Sequence, residues 1–368
     1  MLQKALVLVL IFTGIAGCIG CSTSSHYVYA TLPAANEVAA YREDPYSGTL
    51  TQLSGSPYTV GDGAFSLVLH PSGKFLYVAN PGQGEDDISL FAVQTNGTLI
   101  EVPPRTPVGS NASQPSLLVM DPAGGYLYVM NTLSNNISVF SIDSSSGTLA
   151  QLPNSPFTVG FPLLNMKVTP SGNYLFVSSS SPVSSGTPYG SIAVYSLSAG
   201  TLTLADRPTT SYGVNPYGLA VDPTGSYLYV ANTGSNSIAI FSIGSSGALS
   251  QVSGSPLDDT YSDPFSLILD PKGQYLYVAN QGSNNVAVYS ISSTTGLPVA
   301  LTTSTSTFAF GTESGPSFLV EDPNGNYLFV GNKGSSAGIQ AFGISSGNLN
   351  PLITYGVGNT PSSIAVLE

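Results

Sequence analysis

Few residues in this chain could do chemistry. It has two histidines, His26 and His70, and two cysteines, Cys18 and Cys21. A zinc site built from Cys and His alone needs three or four such ligands at suitable spacing, and this set does not supply one. The chain has no Gly-x-Ser-x-Gly nucleophile elbow, no His-Glu-x-x-His pair and no phosphate-cradling Gly-Lys-Ser/Thr loop. Glu37 and Glu313 are carboxylates without a neighbouring histidine, so acid–base work would fall on each alone. Two acidic clusters offer hard oxygen ligands: Glu85, Asp86 and Asp87 in "GQGEDD", and Asp258, Asp259 and Asp263 in "LDDTYSDP". Calcium is the one metal such ligands suit, but neither cluster has EF-hand spacing, and a solvated acidic loop is the competing reading. No organic cofactor is expected. Arg105 and Arg207 could pair with a carboxylate or phosphate, but their late positions in the repeat described below put them on outer, solvated strands.

The totals narrow the partners. Only 8% of the 368 residues are charged, and the net charge is −12. Nucleic-acid binding needs clustered cations to replace phosphate counterions, and no such cluster exists. The leader "MLQKALVLVLIFTGIAGC" places Lys4 before an apolar run and then small residues, the pattern of a secretory signal. Its end, Ile15-Ala16-Gly17-Cys18, resembles a bacterial lipoprotein box. That resemblance implies cleavage before Cys18 and lipidation of its thiol. The expected organisation is a signal peptide over 1–17, a short tether over 18–25 and one folded domain over 26–368. The product would be exported, monomeric and anchored to the cell envelope by lipid, with the outer membrane or cell surface favoured. Cys21 lies too close to the anchor to staple the domain, so no internal disulfide framework is expected.

The elements that position any site come from a repeat. "DPTGSYLYVAN" at Asp222 recurs as "DPKGQYLYVAN" at Asp270, "DPAGGYLYVMN" at Asp121 and "DPNGNYLFVGN" at Asp322. Aligned on its aromatic-Val pair, the motif falls at Tyr27-Val28, Tyr77-Val78, Tyr128-Val129, Phe176-Val177, Tyr229-Val230, Tyr277-Val278 and Phe329-Val330. Each unit of roughly 50 residues contains an apolar run, the quoted strand, a third strand such as "NVAVYSI", and a weaker fourth after a Gly-x-Leu or Gly-Leu turn. Four strands per repeat of this length indicate an all-β fold, a seven-bladed β-propeller of antiparallel four-stranded blades. Gly 40 and Pro 27 fit so many turns.

The repeated aspartates read as turn chemistry. Asp222 takes position i, Pro223 presets φ at i+1 and Gly225 suits i+3. His70 fills the same slot in its repeat, so a turn role is expected for it too. The chain opens on a second-type strand, "HYVYA", and closes on a lone first-type strand in "TPSSIAVLE". The C-terminal strand is therefore expected to complete the first blade and remove the open edge.

With those motifs in place, the chain resembles the seven-bladed lactonase-type propellers, among them bacterial 6-phosphogluconolactonase and fungal carboxymuconate cyclases, and also the Tyr-Val-Thr-Asn repeats of surface-layer propellers. The resemblance implies His, Arg and Glu at the channel mouth, on loops entering the innermost strands. The entry segments here read "GDGAFS", "NASQPS", "GFPLLN", "GVNPYG", "YSDPFS", "ESGPSF" and "GNTPSS", with neither His nor Arg. The expected function is accordingly a ligand- or protein-binding scaffold, its partner a small polar ligand or an envelope protein. The alternative is a lactonase or cycloisomerase with a substituted site. The mouth candidates are Glu37, Gln114, Asn165, Asn215, Tyr217, Asp263, Glu313 and Asn359.

Overall fold

The computed structural model describes residues 26–82, 84–182, 189–303, 306–307, 309–334 and 338–367; the side chains of 85, 206–208, 302–303 and 306–307 are left out of the description. The proposed leader, Cys18 and the tether lie outside these residues. Seven antiparallel sheets form the blades of the expected propeller, each with a four-strand core. Among the described residues, helix is limited to two short 3-10 turns, Pro33–Ala35 and Thr233–Ser235. No described helix is long and apolar enough to cross a membrane.

The blades radiate from seven inner strands. In blades 2 to 7 these are Ser66–Leu69, Pro115–Met120, Asn165–Val168, Pro216–Val221, Pro264–Leu269 and Pro316–Glu321. Each touches the next around the axis. Ser363–Leu367 touches both Pro316–Glu321 and Ser66–Leu69, which closes the ring. This last strand pairs antiparallel with His26–Leu32, from Tyr27 opposite Leu367 to Thr31 opposite Ser363. The C-terminus thus supplies the inner strand of blade 1, as the two unlike chain ends implied.

Packing explains the repeated letters. The tyrosine of the repeated strand is buried against the following blade, and its hydroxyl reaches that blade's Gly-x-Leu or Gly-Leu turn. Tyr29 donates to Gly97 O at 2.8 Å, Tyr77 to Gly147 O at 2.7 Å and Tyr229 to Gly296 O at 2.7 Å. Such an aromatic joins a large apolar surface to one satisfied polar atom. The glycine is needed twice over. Gly97 holds a φ of 77°, and a Cβ there would sit 2.2 Å from the Tyr27 ring.

These contacts correct the register of the first copy. Tyr29, not Tyr27, is the partner of Tyr77, Tyr128, Phe176, Tyr229, Tyr277 and Phe329. Tyr27 is equivalent to Phe75, since both rings cover the corresponding glycine of the next blade. "HYVYATLP" carries two aromatics two residues apart, so the aromatic-Val pair alone selects the wrong one.

The Asp-Pro turns behave as read. Asp222 Oδ1 accepts the Ser226 and Tyr227 N–H groups at 2.6 Å each, and Oδ2 accepts the Thr224 N–H at 3.1 Å. Asp121, Asp270 and Asp322 cap their turns in the same way. At His70, Nδ1 accepts the Ser72 N–H at 3.0 Å and Nε2 lies 3.0 Å from Gly124 O, so the imidazole substitutes for the carboxylate. All these turns lie on the face opposite the entry loops.

Candidate functional site

The entry face is laced by two backbone devices. The first is a left-handed residue just before the inner strand: Gln114, Asn215 and Asp263, with φ of 57°, 53° and 54°, precede Pro115, Pro216 and Pro264. Their carbonyls accept the N–H groups of Thr132, Thr233 and Gln281. The second is a side-chain oxygen on the loop between second and third strands that caps the neighbouring entry loop. Asn36 accepts the Gly63 N–H, Asp86 that of Gln114, Asn236 that of Asp263 and Asn284 that of Gly315. Together they fix the first residue beyond each repeated strand at the rim of the channel.

In blade 7 that residue is Lys333, tied by its N–H to Gly315 O at 2.9 Å. Its Nζ lies 4.6 Å from the ring centroid of Phe318, 5.3 Å from Phe265 and 5.9 Å from Phe65. Tyr217 stacks on Phe265 with centroids 4.0 Å apart. Blades 2, 5, 6 and 7 thus converge on one ammonium. Among the described residues no carboxylate lies within ion-pair distance of it. Burial pushes the Lys333 pKa below the ordinary lysine value, while the ring faces attract the cation. Phe65, Tyr217 and Phe318 also line a cavity of roughly 340 Å³, with Ser66, Ser116, Thr132, Asn165, Ser362 and Ser363 as its polar groups. That volume suits a small metabolite, and the lining pairs apolar faces with a few hydrogen-bonding groups.

Deeper in the channel stands a second cation. On the inner strands, Val68, Val119, Ala220, Ile268, Val320 and Ala365 occupy one ring of equivalent positions, and blade 4 places Lys167 there. Lys167 touches water in the lumen but is walled by the surrounding blades, which lowers its pKa through desolvation. The channel thus carries two lysines, Lys333 at the mouth and Lys167 deeper, the latter in a cavity that Asp270, Glu321 and Asp322 also line.

A family model described as a lactonase, seven-bladed beta-propeller matches residues 19–164, 165–255 and 218–310. The chain belongs to this family. Among its relatives, a 6-phosphogluconolactonase of Formosa agariphila is 36% identical over 27% of this chain and 27% of that protein. A 6-phosphogluconolactonase of Bacillus subtilis is 32% identical over 37% of this chain and 39% of its own length. These matches thus span well under half of each relative. The solved Pseudomonas aeruginosa periplasmic gluconolactonase superposes with a TM-score of 0.76 at 18% identity, over 94% of this chain and 99% of that one, a likeness of fold.

Within this lactonase-family propeller the sequence candidates have different fates. Asn165 and Tyr217 line the cavity. Gln114, Asn215 and Asp263 are exposed rim residues whose backbone shapes the loops. Glu37 opens the third strand of blade 1, Glu313 sits in the entry loop of blade 7 and Asn359 in the final entry loop; all three are half-buried. Neither glutamate forms an ion pair among the described residues. Asp86 is a loop cap, and buried Asp259 accepts the Tyr289 hydroxyl at 2.8 Å. Asp258 is exposed on the strand Leu257–Asp258. The Glu85 side chain falls outside the described residues, as does that of Arg207. Arg105 pairs with Glu101 at 2.9 Å on the outer edge, away from the channel.

The cation at the mouth does not come from an entry segment. Lys333 reaches the mouth from the loop after the repeated strand. The residue following each repeated strand is Pro33, Pro81, Thr132, Ser180, Thr233, Gln281 and Lys333, a varied position that carries a cation in blade 7 alone.

Proposed function

We propose that this protein is a lactonase that opens a small anionic sugar lactone at the entry-face channel mouth. The observation that carries the reading is Lys333, an ammonium with no carboxylate counter-ion among the described residues, held among three phenyl rings beside a largely apolar cavity with a few polar groups. Family membership and the 6-phosphogluconolactonase relatives support the reaction class. In it, Lys333 pairs with the substrate's anionic group, Tyr217 and Phe65 pack against the sugar's C–H faces, and Ser116, Thr132 and Asn165 hydrogen-bond its hydroxyls. Water then attacks the lactone carbonyl, the ring C–O bond breaks, and the released alkoxide takes up a proton to give the hydroxy acid. The scaffold expectation rests on entry segments without His or Arg; Lys333, from another loop, offers a cation at the mouth, and the family resemblance favours the lactonase alternative.

The test is hydrolysis of 6-phosphogluconolactone and unphosphorylated gluconolactone by the purified protein, above the spontaneous rate. Changes at Lys333 or Tyr217 should sharply lower the enzymatic rate on the phosphorylated lactone, and a change at Arg105 should not. No rate above background on any sugar lactone would return the protein to the scaffold reading. We also infer lipid anchoring at Cys18 from the leader; fatty-acid labelling that persists in C18S would overturn it.

A further inference from the structure

Across the molecule from the channel mouth, at the seam between blades 1 and 7, three buried side chains converge without a shared explanation. With the corrected register, Glu43 falls at a position that Val93, Ile142, Leu197, Ile243, Ile291 and Ile344 occupy in the other six blades. An aliphatic side chain belongs there, and Glu43 is 0% exposed. Among the described residues, neither of its carboxylate oxygens has a hydrogen-bond partner. Its cross-strand neighbour His26 is 3% exposed, and Nδ1 of that ring is also unpartnered. Asp322, 1% exposed, completes the group from the turn of blade 7. His26 Nδ1 lies 3.4 Å from Glu43 Oε2 and 3.9 Å from Asp322 Oδ2. Leaving three such atoms buried and unsatisfied is expensive.

We propose that His26, Glu43 and Asp322 bind a divalent transition-metal ion such as zinc or manganese, which clasps the N-terminal strand to blade 7. Among the described residues this is the one group whose ligand atoms lie together, all within 4.8 Å of one another. Ligands about 2.1 Å from a tetrahedral ion sit roughly 3.4 Å apart, close to the spacing here. Two carboxylates balance a 2+ charge, and the imidazole favours a transition metal over calcium. The outer contacts fit. Asp322 is held by the N–H groups of Asn324, Asn326 and Tyr327. The Asn324 side-chain amide lies 3.3 Å from His26 Nε2. With Nδ1 on the metal, Nε2 carries the proton, and the amide, whose Nδ2 faces the ring here, would turn to present its oxygen, the usual second contact of a metal-bound histidine. The ion would bridge the first described strand and the last blade, where ring closure otherwise depends on the pairing of Ser363–Leu367 with His26–Leu32.

The experiment uses the full purified chain, stripped with chelator and then given zinc, manganese or calcium alone, with metal content and melting temperature as readouts. One equivalent of zinc or manganese should be retained after gel filtration. At metal one hundred times its Kd the midpoint should rise by roughly 4 °C. Glu43→Ile restores the residue type of the other blades, so it should fold, retain no metal and melt at a temperature independent of it. His26→Gln should also lose the metal. Wild-type protein that retains no transition metal and shows no shift would overturn the proposal. So would a Glu43→Ile protein that still retains one equivalent.

Discussion

Replacing Lys333 with methionine should weaken catalysis and strengthen the fold. Methionine keeps an unbranched stem against Phe65, Phe265 and Phe318 but removes the charge. Burial pushes the Lys333 pKa down, because desolvation makes the charged form costlier in the folded state than in water, and the ring faces offset part of that cost. Its removal should leave the melting temperature unchanged or raised. A charge-assisted contact to a phosphate is worth about 2–3 kcal/mol, so kcat/KM on 6-phosphogluconolactone should fall roughly 30- to 150-fold. The unphosphorylated lactone should be much less affected. The sign of the pH effect follows from the same shift. A lysine with a depressed folded-state pKa binds its proton less tightly than in the unfolded chain. Stability therefore rises with pH between the folded and unfolded values, and substrate anchoring is lost as pH rises through the folded value. Lys333→Arg, whose guanidinium stays charged, should flatten the pH decline even where the rate is lower. Steady-state kinetics on both lactones and a melting curve for each variant suffice. Equal losses on the two lactones, or a large drop in melting temperature for Lys333→Met, would refute the reasoning.

Further outcomes test the scaffold. Tyr229→Phe removes a hydroxyl that donates to Gly296 O at 2.7 Å and should cost about 1 kcal/mol in denaturant unfolding, whereas Tyr277→Phe removes a buried hydroxyl without a partner and should cost nothing. Asp222→Ala strips the acceptor from three backbone N–H groups on the non-catalytic face; it should destabilise by about 2–4 kcal/mol and leave lactone KM unchanged in the folded fraction. Gly97→Ala, at a φ of 77° and against the Tyr27 ring, should lower the melting temperature more than Gly84→Ala, also at positive φ but with nothing within 4 Å.

The fold was legible because seven copies of one pattern repeat the same physical instructions. Asp222 and Pro223 turn the chain, Tyr229 joins the blades, and a glycine leaves room for the neighbouring ring. Repetition also marks departures. Lys167 in an aliphatic lumen ring and Glu43 in an aliphatic strand position are visible as misfits once the register is right. At Glu43 the register was two residues off, because Tyr27 and Tyr29 compete for one slot. Lys333 required knowing which loop meets the rim. The grouping of Glu43 with Asp322 required the closed ring, since nothing local joins residues so far apart in the chain. Phe65, Phe265 and Phe318 stand in three separate entry segments, and only closure brings their rings around one ammonium.

The most direct measurement is a crystal structure of the protein with 6-phosphogluconate, the hydroxy acid that opening the phosphorylated lactone would release. The phosphate should lie within about 3 Å of Lys333 Nζ, with the sugar chain in the cavity between Tyr217 and Ser116. Binding of the acid elsewhere on the propeller, or an empty mouth at saturating ligand, would contradict the account.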